Sequence, residues 1–305
     1  MTAELLFAAL IGLVVGSFLC LVAHRLPVML ERAWVDYCAE TERVGSQDPG
    51  ADGASARDLV AAGFGDAAAA GAAATTPRYD LFFPPSHCPA CGHRLGLFEN
   101  IPLFSWVLQK GRCRACGTFI GWREPLVEVV AAALAALVVL HFDAGWDRAL
   151  AALCLWMLLL ASVIDLQRGW LPDEVTGPLL WLGLIANLGG RFVTPEDAVI
   201  GAVAGFVGLW VVRTGFRLAT KREGMGAGDP HLLAAIGAWT GWQVLPGLIL
   251  FAALLGLLWA GMVRAIRGRS LREPMPFGPM LAVAGLVALV WPDSFTDLFN
   301  GGLAL

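Results

Sequence analysis

Apolar residues run along this chain in eight stretches almost free of charge, near 3–23, 126–142, 148–165, 175–190, 197–213, 230–246, 247–264 and 277–292. A helix needs about 20 predominantly apolar residues to cross the hydrocarbon core of a bilayer. Each stretch therefore predicts a crossing, and the pattern as a whole predicts an all-α polytopic membrane protein with about eight transmembrane helices. The division at Leu245-Pro246-Gly247 is the least defined. Either a tight turn joins two spans there, or the proline kinks one long helix. A polar stretch separates the first span from the second and predicts a loop domain. The domains expected are residues 1–26 as the first transmembrane helix, 27–125 as a loop domain, and 126–305 as a seven-helix membrane domain.

Composition agrees: 57% of residues are hydrophobic and 15% charged, the balance of a chain surrounded by lipid. Of the 21 Lys and Arg, 19 fall in or beside the loops that eight spans place on one side, and only Arg148 and Arg191 lie opposite. The positive-inside rule assigns those loops to the cytoplasm and both chain termini to the outside. The net charge of −4 says nothing about partners, and no basic run suggests nucleic acid. Within the loop domain, residues 49–76 include 12 Ala and 5 Gly. So little there can build a core that about 38–80 is read as a flexible insertion.

After the insertion comes Cys88-Pro-Ala-Cys91 and, 21 residues later, Cys113-Arg-Ala-Cys116. Two such knuckles can wrap four thiolates around one metal ion, and zinc held by Cys88, Cys91, Cys113 and Cys116 is the expected occupant. A reducing cytoplasm weakens the disulfide alternative. With four thiolates the zinc has no open position, so its role is structural. His87 and His93, which border the first knuckle, are read as bystanders.

Two acids stand at the ends of apolar stretches. Asp165 closes one, and Asp229 follows Gly226-Ala-Gly228 at the start of another. An ionisable side chain at membrane depth costs roughly 2.5–3.5 kcal/mol on insertion scales, which makes a functional site with a partner the default reading. Each is the natural partner of the other. Two carboxyls sharing one proton supply both a base for water and an acid for a carbonyl oxygen, the requirement for peptide hydrolysis without a metal or a nucleophilic side chain. Taken singly, Asp165 also reads as an interfacial acid and Asp229 as a helix cap. A proton or cation transporter is a rival, but it would place acids at mid-span, where stretches such as 129–139 are bare.

The motifs together resemble the type IV prepilin leader peptidases. Those that carry the resemblance are Gly16-Ser-Phe-Leu-Cys20, His24-Arg-Leu-Pro27, the cysteine pairs enclosing Glu99-Asn-Ile-Pro102, Arg123-Glu-Pro-Leu-Val-Glu128, Asp165 with Leu171-Pro172-Asp173, Gly224-Met-Gly-Ala-Gly-Asp229 and Pro276-Phe-Gly-Pro279. They fall in the family's order over nearly the whole chain except about 35–80. The resemblance implies a GxGD-type intramembrane aspartic protease with Asp165 and Asp229 as the catalytic pair. It would remove the leader from prepilins and pseudopilins at the cytoplasmic face of the bacterial inner membrane. It also implies methylation of the new N-terminus with S-adenosylmethionine, although no residue is assigned to the methyl donor. Gly226, Gly228, Asp173, His231 and Glu128 are the candidates for substrate contact or active-site support, with helix capping as the simpler role for Asp173. Two departures from the family pattern stand out: Cys20 replaces an asparagine, and Pro230-His231 replaces phenylalanine and lysine. The alternatives kept are a peptidase that has lost methyl transfer and a non-enzymatic pilus-assembly scaffold.

Overall fold

Every apolar stretch coincides with a helix in the computed structural model, which describes residues 2–45, 79–96, 99, 101–221, 224–267 and 276–295. Stretch 49–76 of the insertion, and Asn100, lie outside the described residues. The helices are α1 (Thr2–Gly45), a short α2 (Phe104–Leu108), α3 (Arg123–His141), α4 (Trp146–Arg168), α5 (Asp173–Ala186), α6 (Pro195–Thr220), α7 (Asp229–Thr240), α8 (Leu245–Arg267) and α9 (Gly278–Val290). Among the described residues the only β structure is two isolated bridges.

Among the described residues five helices, α1, α3, α4, α6 and α8, are long and apolar enough to cross a membrane. α5, α7 and α9 have 14, 12 and 13 residues. At 1.5 Å per residue they reach only about 20 Å, short of the roughly 30 Å core. About eight transmembrane helices were expected; each apolar stretch carries a helix, but among the described residues only five of these are long enough to span. The uncertain division resolves as two helices: α7 stops at Gly241, whose φ of 79° suits glycine, and α8 starts at Leu245 with Pro246 in its first turn. Some helices overrun their apolar stretches, whereas α5 and α9 end short of theirs. α1 continues past Pro27 to Gly45, into residues assigned to the loop domain and the insertion.

The chain separates into two units. The first comprises Met1–Cys20, Pro102–Phe104 and Gly121–Leu305. Its core is built on α7, every residue of which is buried except His231. α7 packs against α6, α5 and α9, and α9 also packs against α4 and α8. Small residues allow this closeness. Gly201 of α6 and Gly237 of α7 meet backbone to backbone, and a Cβ on Gly205 would stand 2.7 Å from the Leu233 carbonyl oxygen. On the opposite face of α7 the Trp239 indole fills the space left by Gly183 and donates to the Leu179 carbonyl at 2.8 Å. Gly12 and Gly16 likewise bring α1 onto α3 beside Ala132 and Glu128.

The second unit comprises Leu21–Ile101 and Ser105–Ile120. In it Arg25 is buried and donates to the carbonyls of Asp80 (2.9 Å) and Pro84 (2.6 Å), while Arg32 lies over the Tyr79 ring, 4.4 Å from its centroid. Two similar knuckles complete it. Cys88 N donates to His93 O and Gly92 N to Cys88 O; Cys113 N donates to Thr118 O and Gly117 N to Cys113 O. Gly92 and Gly117 both have φ of +71°, the left-handed turn that each CxxCG requires.

Candidate functional site

Asp165 lies in the last turn of α4, whose C-terminal cap, Gly169, returns its amide to the Asp165 carbonyl at 2.8 Å. Asp229 is the first residue of α7. Both side chains are buried, 4% and 3% exposed. Each has one oxygen fixed by a glycine amide. Asp165 Oδ2 accepts from Gly278 N, and Asp229 Oδ2 accepts from Gly226 N, both at 2.9 Å. The Asp229 side chain thus reaches back to the loop that precedes its helix. The carboxylates are close enough to act on each other electrostatically, and Arg213 of α6 acts on Asp229 as well. The Arg213 Nε also donates to the Met225 carbonyl at 3.3 Å. This geometry brings two acids, 64 positions apart in sequence, into one buried site.

The neighbouring candidates separate by what they touch. A Cβ on Gly226 would lie 3.1 Å from Asp229 Oδ2, and one on Gly228 only 2.6 Å from Leu171 Cβ and 2.9 Å from the Leu171 carbonyl oxygen. Both glycines let the loop press against Asp229 on one side and against the Leu171-Pro172 segment on the other. Asp173, at the start of α5, is exposed and makes no side-chain capping bond, leaving its charge at the positive end of the helix. His231 is exposed, with Nδ1 3.3 Å from the Ala227 carbonyl and its ring edge-on to Phe206. Glu128 is buried in α3 and accepts from Leu103 N at 2.7 Å and from Ser17. The Leu103 residue it holds has φ of +54°. In the sequence Gly278 stands only as part of Pro276-Phe-Gly-Pro279, a glycine between prolines at a helix start, and nothing in that pattern marks it as facing Asp165.

The four knuckle sulfurs lie within 4.8 Å of one another. Cys88 Sγ is 3.8 Å from Cys116 Sγ and Cys91 Sγ 3.9 Å from Cys113 Sγ. Disulfides are excluded at such distances, whereas a tetrahedron of 2.3 Å metal–sulfur bonds has edges of about 3.8 Å. The amides of Ala90 and Cys91 hold the Cys88 thiol below its ordinary range, and Thr118 draws Cys116 down to about 6. At Cys91 the His93 amide acts in the same sense, but burial and the three neighbouring sulfurs outweigh it and push the thiol up to about 12. Four thiolates this close repel one another, and a divalent cation resolves that conflict. The donor set fits a metal, and an all-sulfur tetrahedron is the preference of zinc or iron. His93 holds no place in the cluster; its Nε2 pairs with Glu99 Oε2 at 3.1 Å.

Comparison with known proteins gives a consistent picture. Residues 10–142 match the family described as the bacterial Peptidase A24 N-terminal domain, and residues 152–261 match the type IV leader peptidase family. The chain is 45% identical over 300 residues to a protein of Burkholderia pseudomallei (strain K96243), covering 98% of this chain and 89% of that one. It is 43% identical over 293 residues to one of Aeromonas salmonicida (strain A449), covering 94% and 90%, and 42% identical over 297 residues to one of Pseudomonas aeruginosa, covering 97% and 93%. All three relatives are named prepilin leader peptidase/N-methyltransferase. No solved structure matches the chain.

Proposed function

The chain belongs to the type IV leader peptidase family, a prepilin peptidase with N-methyltransferase activity, and from that premise we propose that it cuts prepilin leaders with Asp165 and Asp229. The observation that carries the reading is the pair of buried carboxyls, each held through one oxygen by a glycine amide. The other oxygen of each is left for the reaction. One carboxylate takes a proton from water as the water oxygen bonds to the scissile carbonyl carbon. The other, as the acid, protonates the carbonyl oxygen. The tetrahedral intermediate then breaks its C–N bond, and the departing nitrogen takes up a proton to leave a leader carboxylate and a free pilin amine.

The substrates are prepilins and pseudopilins, in the bacterial inner membrane. In this reading α5, α7 and α9 are the remaining crossings and both termini lie outside, and the positive-inside rule supports a cytoplasmic face for the aspartate pair and for the cysteine unit. Their shortness is tolerable for α7 because protein, not lipid, surrounds it. Zinc held by Cys88, Cys91, Cys113 and Cys116 has a structural role. S-adenosylmethionine supplies the methyl group for the new amine. The experiment is cleavage of a prepilin by purified protein, with mass analysis of the mature N-terminus. Wild type should release the leader and add 14 Da, roughly one methylene, to the new end. Asp165→Asn and Asp229→Asn, still folded, should release none; cleavage by both would refute the pair. Cleavage without added mass identifies a peptidase alone, and no cleavage by wild type identifies a scaffold.

A further inference from the structure

Gly278 N donates to Asp165 Oδ2 at 2.9 Å, across 113 residues of chain. Gly278 is the first residue of α9, and the chain arrives at it through Phe277, which is not itself held by a side-chain cap. A Cβ on Gly278 would stand 2.7 Å from Asp165 Oδ2, 3.2 Å from its Cγ and 3.3 Å from its Cβ, so no side chain fits without moving the whole carboxyl. The contact is also sealed, since Gly278, Met280 and Leu281 are buried along with Asp165. On the Asp229 side the same device appears with a different origin: Gly226, three residues upstream, gives its amide to Asp229 Oδ2, and a Cβ there would lie 3.1 Å away.

We propose that Gly278 is a positioning residue of the peptidase site, its amide orienting Asp165 and its missing side chain making room for that carboxyl. The inference rests on the assignment of Asp165 as catalytic. An amide donor fixed at a helix start holds one oxygen and thereby sets the plane of the carboxyl group and the direction of Oδ1. Gly226 does the same for Asp229, so the two reactive oxygens are aligned by backbone rather than by flexible side chains. The pair is thus assembled from three segments, the end of α4, the loop before α7 and the start of α9. α9 takes part in the site through its backbone although it brings no acid to it.

Gly278→Ala tests this, with Gly261→Ala as the control, because a Cβ at Gly261 meets nothing within 4 Å. In purified protein with a prepilin substrate, Gly278→Ala should lower kcat about 100-fold, the scale expected for a reacting group misplaced by about 1 Å, with KM unchanged. The pH profile of kcat should shift relative to wild type, because the hydrogen bond to a titrating carboxyl has changed. Gly261→Ala should match wild type in both. Prepilin affinity, measured in an Asp165→Asn background so that no cleavage occurs, should be the same with and without Gly278→Ala. Wild-type kcat in Gly278→Ala, or a loss that appears wholly in KM and affinity with an unmoved pH profile, would overturn the proposal. Should Gly278→Ala melt too early to assay, Gly226→Ala, whose Cβ meets Asp229 Oδ2 at a milder 3.1 Å, tests the same backbone device on the other acid: a lowered kcat with KM unchanged supports it, and wild-type kcat overturns it. Full activity in Asp165→Asn alone would instead refute the catalytic assignment on which the inference rests, so the two failures are distinct.

Discussion

Gly228 sits one residue before Asp229, and its hydrogen faces the Leu171 backbone, where a methyl group would be 2.6 Å from one atom and 2.9 Å from another. Since Leu171 is buried, neither side can yield freely. Gly228→Ala is expected to displace Asp229 and reduce leader cleavage by up to about 100-fold, while the melting temperature falls by no more than overpacking by about 1–3 kcal/mol would cause. Unaltered cleavage kinetics would show that the loop adapts. Glu99 offers a test in the cysteine unit. The Gly96 amide at 2.9 Å, and next the His93 ring at 3.1 Å, hold its carboxyl below the ordinary range. Such a group stabilises the fold above its ordinary range, and that contribution disappears as pH falls through the lowered value. Wild type should therefore melt higher than Glu99→Gln near neutral pH, and the difference should close in acid; a constant difference would contradict this. Asp165, Asp229 and the four cysteines were legible as residues because acids at membrane depth and paired CxxC spacings are rare without purpose. Gly278 was not, because a backbone amide leaves no mark in a sequence.

Among the elements, α7 shows how little of a helix's environment its own pattern reveals. As an apolar run it reads like its neighbours, yet it is shorter than a bilayer and enclosed on almost every side. Gly201 and Gly237 decide this, since their backbones touch and exclude any larger residue. Gly201→Val is expected to separate α6 from α7 and destabilise the membrane unit by about 1–3 kcal/mol, read as an earlier thermal transition in detergent. Trp239→Phe keeps most of the packing but deprives the buried Leu179 carbonyl of its indole donor, at a cost of about 1–3 kcal/mol. A melting temperature equal to wild type in that variant would mean another donor replaces the indole. Each of the eight apolar stretches carries a helix among the described residues, five of them long enough to span. Their ends escaped hydropathy where a helix extends into polar sequence, as α1 does to Gly45, or stops early at a left-handed glycine, as α7 does at Gly241.

At the scale of the molecule, the two units have different sources of stability. The membrane unit has an apolar core of interlocked helices, whereas the described part of the cysteine unit has a buried arginine, two knuckles and few large buried side chains. Chelation of the metal, or serine at positions 88, 91, 113 and 116, should therefore abolish bound zinc and the cysteine unit's thermal transition, and leave the helical circular dichroism of the membrane unit largely intact. Equal zinc content in the serine variant would exclude the site. Sequence alone determined that the chain is helical and lies in a membrane, because an apolar run must satisfy its backbone within itself once water is gone. It also determined which side chains could ligate a metal or split a peptide bond, because those chemistries need particular atoms. Only tertiary structure decided that α5, α7 and α9 are shorter than a full-length span, that Gly226 and Gly278 hold the two carboxyls, and that Glu128 accepts from Leu103. Those outcomes depend on which surfaces approach within a few ångströms, and distances between remote segments are set by packing, not by periodicity along the chain.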